Sequence, residues 1–110
     1  MAVLTEELIY EILSAVEEIP KGYVASYGQI AKLIGRDKNA RLVGKVLSMA
    51  EFYGKYPCHR VVNHAGGLAP HFYEQKNLLL EEGVSFIGDR VDMKKCRWDI
   101  SVSQDANIME

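Results

Sequence analysis

Leu8, Ile9, Ile12, Leu13, Val16 and Ile19 fall on one stripe of a helix at the 3.6-residue period, and Pro20-Lys21-Gly22 stops that helix at once. That arrangement constrains the chain more than any other feature. Thr5 stands where a hydroxyl can accept from a free first-turn amide, and Glu6 and Glu7 complement the positive end of the helix dipole. The reading is a helix near 6–18 with an acidic outer face. It cannot bury its stripe alone, so the rest of the chain must supply short elements that pack against it.

Two further helical patterns follow. Val24-Ala25-Ser26 is a short extended entry, and Ser26 is placed to cap a helix over Tyr27 to Ile34. Gly35-Arg36-Asp37-Lys38-Asn39 is a polar turn, opened by the glycine expected after a helix C-terminus. A third helix runs from Ala40 to Ala50 with Leu42, Val43, Val46 and Leu47 inward. Two short helices joined by a glycine-bearing turn inside one stretch read as a helix-turn-helix, with two plain core helices as the alternative. Beyond Pro57, His59-Arg60-Val61-Val62 is β-prone, and Asn63 to Gly67 is a turn. Phe72 to Glu82 is helical with Leu78 and Leu79 inward and Gly83 as its stop. Val84–Ile87 and Arg90–Met93 flank Gly88-Asp89 as a small hairpin. The expected fold is mainly α with short β elements, a winged-helix-like helix-turn-helix domain over residues 1–101, with a disordered tail over 102–110.

Charge separates the helices further. Residues 1–20 carry five Glu and no Lys or Arg, whereas residues 21–60 carry eight basic residues against Asp37 and Glu51. A formal net charge of −2 therefore conceals a basic middle third, the footprint of a surface facing phosphates or of a solvated basic face. No apolar run approaches the ~20 residues that span a bilayer, so no membrane partner is expected. Cys58, His59, His64 and His71 offer no four-ligand set, and Cys58 and Cys96 lack metal-ligand spacing, so no metal or other cofactor is expected. Two cysteines without a disulfide framework suit a reducing cytoplasm, where Cys58 stays a free thiol.

Pro57-Cys58-His59-Arg60-Val61-Val62 sets that thiol beside an imidazole. A thiol attacks as thiolate, and a neighbouring base or cation favours that form. The motif has company in order along the chain: Ile19-Pro20-Lys21-Gly22-Tyr23-Val24, Ser26-Tyr27-Gly28-Gln29-Ile30-Ala31, Ala40-Arg41-Leu42-Val43-Gly44 and Glu82-Gly83. Through these blocks, across residues 7–85, the chain closely resembles the active-site domain of O6-alkylguanine-DNA alkyltransferases and their short relatives, the alkyltransferase-like proteins.

The resemblance implies a monomer that docks on duplex DNA and acts on O6-alkylguanine. That base lies inside the stack and must be flipped out to be reached. The second helix of the helix-turn-helix would enter the minor groove, with Ala40 and Gly44 allowing close approach. Arg41 would take the place of the flipped base, a role suited to a planar guanidinium that stacks and donates at once. Tyr27 would help rotate the nucleotide and protonate the departing guanine, and Gln29, Lys45 and Arg60 would complete the DNA contacts. Cys58 would take the alkyl group once and keep it, His59 would accept its proton through water, and Glu82 would orient His59.

Two departures from the family pattern bear on the chemistry. An Asn-Pro hinge is replaced by Met49-Ala50-Glu51-Phe52, and a glycine-rich loop with a tyrosine is replaced by Gly67-Leu68-Ala69-Pro70-His71-Phe72-Tyr73-Glu74-Gln75. The altered loop and the tail through Trp98 resemble the alkyltransferase-like branch, which binds the lesion without transfer and flags it to excision-repair proteins. That branch usually has tryptophan where this chain has Cys58. Two readings from other classes stay open on the residues. A transcription regulator would use the same helices but calls for a dimer helix, and a cysteine hydrolase or redox protein would leave the basic block unused.

Overall fold

The computed structural model describes residues 4–100. Helix α1 spans Glu6–Glu17, β1 Ala25–Ser26, α2 Tyr27–Leu33, α3 Ala40–Ser48, β2 Val61–Val62, α4 Gln75–Glu81, β3 Phe86–Ile87, β4 Arg90–Val91 and α5 Met93–Cys96. Single 3-10 turns lie at Ala50–Phe52 and Cys58–Arg60. The mainly helical class with short strands is as expected; the expected tail over 102–110 lies outside the described residues.

Local signals set the first half. Thr5 Oγ1 accepts from Leu8 N, a cap of about 1 kcal/mol. Ser26 Oγ accepts from Gln29 N while Gln29 Oε1 accepts from Ser26 N, a reciprocal capping box. Ile12, Leu13 and Val16 on α1 are fully buried against Ile30 and Ala31 of α2 and Val43 and Val46 of α3. Each large aliphatic side chain so placed contributes about 1.5–3 kcal/mol of hydrophobic burial. The three-helix core gives α3 a rigid back and leaves its opposite face open.

The second half is tied on by backbone pairing across long sequence distances. β1 and β2 pair in parallel, Ala25 opposite Val61 and Ser26 opposite Val62. Beside them Val24 N donates to Cys96 O and Trp98 N to Val24 O. The β3–β4 hairpin pairs Phe86 with Val91. A second apolar cluster of Val24, Val62, Leu79, Val84, Val91 and Cys96 lies beneath it. Gly66 is required there: its φ is +87°, and a Cβ would sit 2.5 Å from Val91 O.

Three expected elements end elsewhere. The helix expected over 72–82 starts only at Gln75, because His71 takes a left-handed φ of 65° and a turn occupies the preceding residues; Leu78 is correspondingly half-buried and Leu79 fully buried. The third helix stops at Ser48, and the 3-10 turn at Ala50–Phe52 redirects the chain. Of the β-prone run, only Val61 and Val62 are strand; Cys58–Arg60 coils so that adjacent side chains diverge.

Candidate reactive-thiol cavity and nucleic-acid face

The turn carrying Cys58 is fixed by its own backbone, Cys58 N donating to Tyr56 O at 2.8 Å and Arg60 N to Pro57 O at 3.0 Å. β2 then places that turn beside β1, and β1 runs directly into α2, whose first residue is Tyr27. Two remote sequence blocks are thereby brought to one cavity of about 800 Å3. Cys58, His59, Tyr27 and Gly44 line it, with Leu47, Ser48 and Glu51 on the side of α3 and Ala69 to Phe72 opposite. The volume suits a small organic group.

His59 and Arg60 point away from the thiol to a shared carboxylate. Glu82 Oε2 lies 3.0 Å from His59 Nε2, and Arg60 grips the same carboxylate twice, Nε to Oε1 at 2.9 Å and Nη2 to Oε2 at 2.7 Å. Arg60 Nη1 donates to Ile19 O at 2.9 Å, tying the cluster to the end of α1. Arg60's hydrogen bonds, assisted by that of His59, outweigh burial and hold the Glu82 carboxyl at about 2. An ionised carboxylate only accepts, so the proton of a neutral His59 sits on Nε2 and Nδ1 is left as its basic nitrogen.

The thiol is in the opposite condition. Burial, with a smaller contribution from the Glu51 carboxylate, pushes Cys58 up to about 11 despite the lowering effect of a backbone hydrogen bond. Among the described residues no hydrogen bond joins Cys58 Sγ to His59. Cys58 is therefore a neutral thiol at rest, and any nucleophilic use requires its proton to leave during the reaction. Burial, and secondly Cys58, raise the Tyr27 phenol above its ordinary value, which keeps it a proton donor.

On α3, Arg41 and Lys45 are exposed one turn apart and share a face, and Ala40 is half-buried. Gly44 lies between that face and the cavity, 3.9 Å (as an added Cβ) from the Tyr27 ring. Two residues expected at DNA have partners within the protein. Arg60 is turned inward with its side chain 16% exposed, because Glu82 and Ile19 O use its donors. Gln29 spends its carboxamide on the cap of α2 and on Trp98 O at 2.8 Å. His64 and His71 are exposed loop residues, and no metal-binding group of His, Cys, Asp or Glu exists among the described residues.

Gln75 is the site residue that sequence reasoning missed. It is fully buried, donates from Nε2 to His59 O and Val61 O at 3.0 and 2.9 Å, and accepts from Ala69 N at 2.7 Å. One side chain thus ties the Cys58 turn to the loop across the cavity. Its only local signal was position, four residues before Leu79 on the inward stripe of α4.

A helix-turn-helix whose second helix borders a cavity lined by Tyr27, Cys58 and His59, with Glu82 and Arg60 behind the imidazole, is the arrangement of a DNA-binding domain of the alkyltransferase type. The family described as 6-O-methylguanine DNA methyltransferase, DNA binding domain, matches residues 7–84, and the chain belongs to it. It is 39% identical over 95 residues to the DNA base-flipping protein of Escherichia coli, covering 83% of this chain and 71% of that one. It is 36% identical over 84 residues to alkyltransferase-like protein 1 of Schizosaccharomyces pombe, covering 72% and 78%. The structure of S. pombe Atl1 with damaged DNA containing O6-carboxymethylguanine superposes with a TM-score of 0.76 at 29% identity, covering 88% of this chain and 99% of that one. Mycobacterium tuberculosis OGT in complex with DNA gives 0.60 at 29% identity, covering 74% and 52%. Among the described residues no helix is long and apolar enough to cross a membrane.

Proposed function

We propose that this protein binds O6-alkylguanine in duplex DNA by laying α3 in the minor groove and flipping the damaged nucleotide into the Cys58 cavity. The observation that carries the reading is the cavity itself, which opens beside Gly44 of the helix that presents Arg41 and contains the cysteine of the chain's PCHRV motif. Arg41 occupies the vacated place in the stack, Lys45 meets the strand, and Ala40 and Gly44 let the helix sit close.

Cys58 then takes the alkyl group. Its sulfur forms a bond to the alkyl carbon, the carbon–O6 bond breaks, and the electron pair stays with the guanine. The thiol proton passes through water to His59 Nδ1, held in place by Glu82, while Tyr27 donates a proton to the guanine. The sulfur is not regenerated, so each molecule acts once and no cofactor takes part. The protein works as a monomer in the reducing cytoplasm, as one domain over residues 1–101.

A non-transferring lesion sensor that hands the site to excision-repair proteins is the second reading. It is favoured by the raised pKa of Cys58 and by the altered loop at 67–75. Incubation with a duplex bearing one O6-methylguanine separates the two: mass spectrometry should find one added methyl on the Cys58 peptide. An unmodified peptide beside tight binding would establish the sensor. A protein that binds damaged and undamaged duplex alike would end both.

A further inference from the structure

A second concavity, of about 650 Å3, lies between α2 and α5 and shares no lining residue with the Cys58 cavity. Three of its walls are basic: Lys32 on α2, Lys94 on α5 and Arg97 just after it, all exposed. None forms an ion pair with another described residue, since the ion pairs there involve His59, Arg60 and Lys76. Among the described residues Asp99 is the only acidic one in the lining, and it has an interaction of its own. Three cations without an ion-pair partner among the described residues thus surround one concave surface, a concentration of positive charge that favours an anion.

The cleft is built rather than incidental. Gln29 Nε2 donates to Trp98 O at 2.8 Å, and Val24 pairs with Arg97 as an isolated bridge, so the segment after α5 is pinned against α2. Trp98, 7% exposed, anchors the same segment in the core. The charges of Lys94 and Arg97 are thereby held next to the helix that precedes the recognition helix.

We infer that the Lys32–Lys94–Arg97 cleft grips the phosphate backbone of the duplex outside the lesion, a second DNA contact. In a helix-turn-helix the first helix crosses the backbone while the second occupies a groove. Here the first helix is α2, and Lys32 is its exposed cation. The inference rests on the proposed DNA docking through α3 and extends it. Such a contact adds affinity for any sequence and carries no information about the lesion. It would hold the protein on DNA while Arg41 tests successive bases.

The test compares the wild type with a triple variant, Lys32→Ala, Lys94→Ala and Arg97→Ala, on damaged and undamaged duplexes over a salt series. All three side chains are exposed, and circular dichroism confirms the fold. Each lost phosphate contact flattens the slope of log K against log salt by about 0.9, so the loss of three should flatten it by about 2.7, equally on both duplexes. A control variant, Lys21→Ala with Arg90→Ala, removes exposed charge elsewhere and should leave the slope within about 0.5 of the wild type. A triple variant whose slope matches the wild type overturns the cleft contact, as does a slope change matched by the control. Retained lesion preference in the wild type keeps that failure distinct from failure of the base-flipping reading.

Discussion

The two sides of the Cys58 turn are held very differently. On one side, His59 and Arg60 converge on Glu82 through three hydrogen bonds of 2.7 to 3.0 Å, and Arg60 adds a fourth to Ile19 O. On the other, the thiol faces an open cavity whose far wall is a loop with His71 in a left-handed conformation and Tyr73 86% exposed. That loop is joined to the turn chiefly by Gln75. The difference teaches where function is robust and where it is fragile. The imidazole and the carboxylate that holds it are fixed in advance, whereas the wall that would press an alkyl carbon toward sulfur in the proposed reaction is not. Flipping needs room, and displacement needs the reacting atoms about 3–3.5 Å apart and aligned.

The largest expected effect breaks the comparison at the sulfur. Cys58→Ser should abolish methyl transfer, read by peptide mass, and change lesion affinity by less than about threefold, under about 0.7 kcal/mol. A collapse of affinity would make the thiol part of the binding wall. On the rigid side, Glu82→Gln removes the carboxylate from a half-buried Arg60, and denaturant unfolding should show a loss of about 2 kcal/mol, less than for a fully buried pair. A loss below about 1 kcal/mol would mean that the cluster is held by packing alone.

Arg41→Ala should weaken lesion binding by about 1–3 kcal/mol, the value of a stacked group, and Lys45→Ala by much less. Fluorescence anisotropy on matched duplexes measures both, and equal, salt-dependent losses would count against base flipping. Acid unfolding sharpens the contrast next. Glu82 in the folded protein titrates near 2, below its ordinary 4.5, so its contribution is whole above pH 4.5 and is lost as pH falls toward 2. Wild type should therefore lose stability over that window more steeply than Glu82→Gln, and parallel melting curves would refute it. The smallest effect concerns Gly44, where an added Cβ meets the Tyr27 ring at 3.9 Å, ordinary contact. Gly44→Ala should raise stability by up to about 1 kcal/mol through helix propensity while lowering DNA affinity. Unchanged affinity would remove α3 from the groove.

Much of the molecule was legible in advance because its signals are local. Thr5 and Ser26 cap through bonds spanning three residues, Gly35 and Gly83 end their helices at positive φ, and the α1 stripe repeats every turn. The motif at 57–62 pointed to a thiol beside an imidazole, and the block order pointed to the family. The resemblance alone puts Arg60 and Gln29 at DNA, and their partners Glu82 and Trp98 O lie 22 and 69 residues away, beyond any local signal. The apolar spacing extends the fourth helix back over 72–74 because nothing in it reveals the turn that follows the left-handed His71.

The sequence by itself determined where α1 to α3 lie, how α1 and α2 are capped, and where Cys58 and the basic block lie in the chain. Those depend on backbone and side-chain interactions within one or two turns. Only the tertiary structure decided that Glu82, 22 residues from Arg60, is gripped by Arg60 as well as by His59, and that Gln75 ties the thiol turn to the opposite loop. It also decided that Lys32 shares a cleft with Lys94 and Arg97. Such contacts exist only after the parallel pairing of β1 with β2 and the burial of Trp98 bring distant segments together. Their energy depends on desolvated charge and close packing, which no short window of residues encodes.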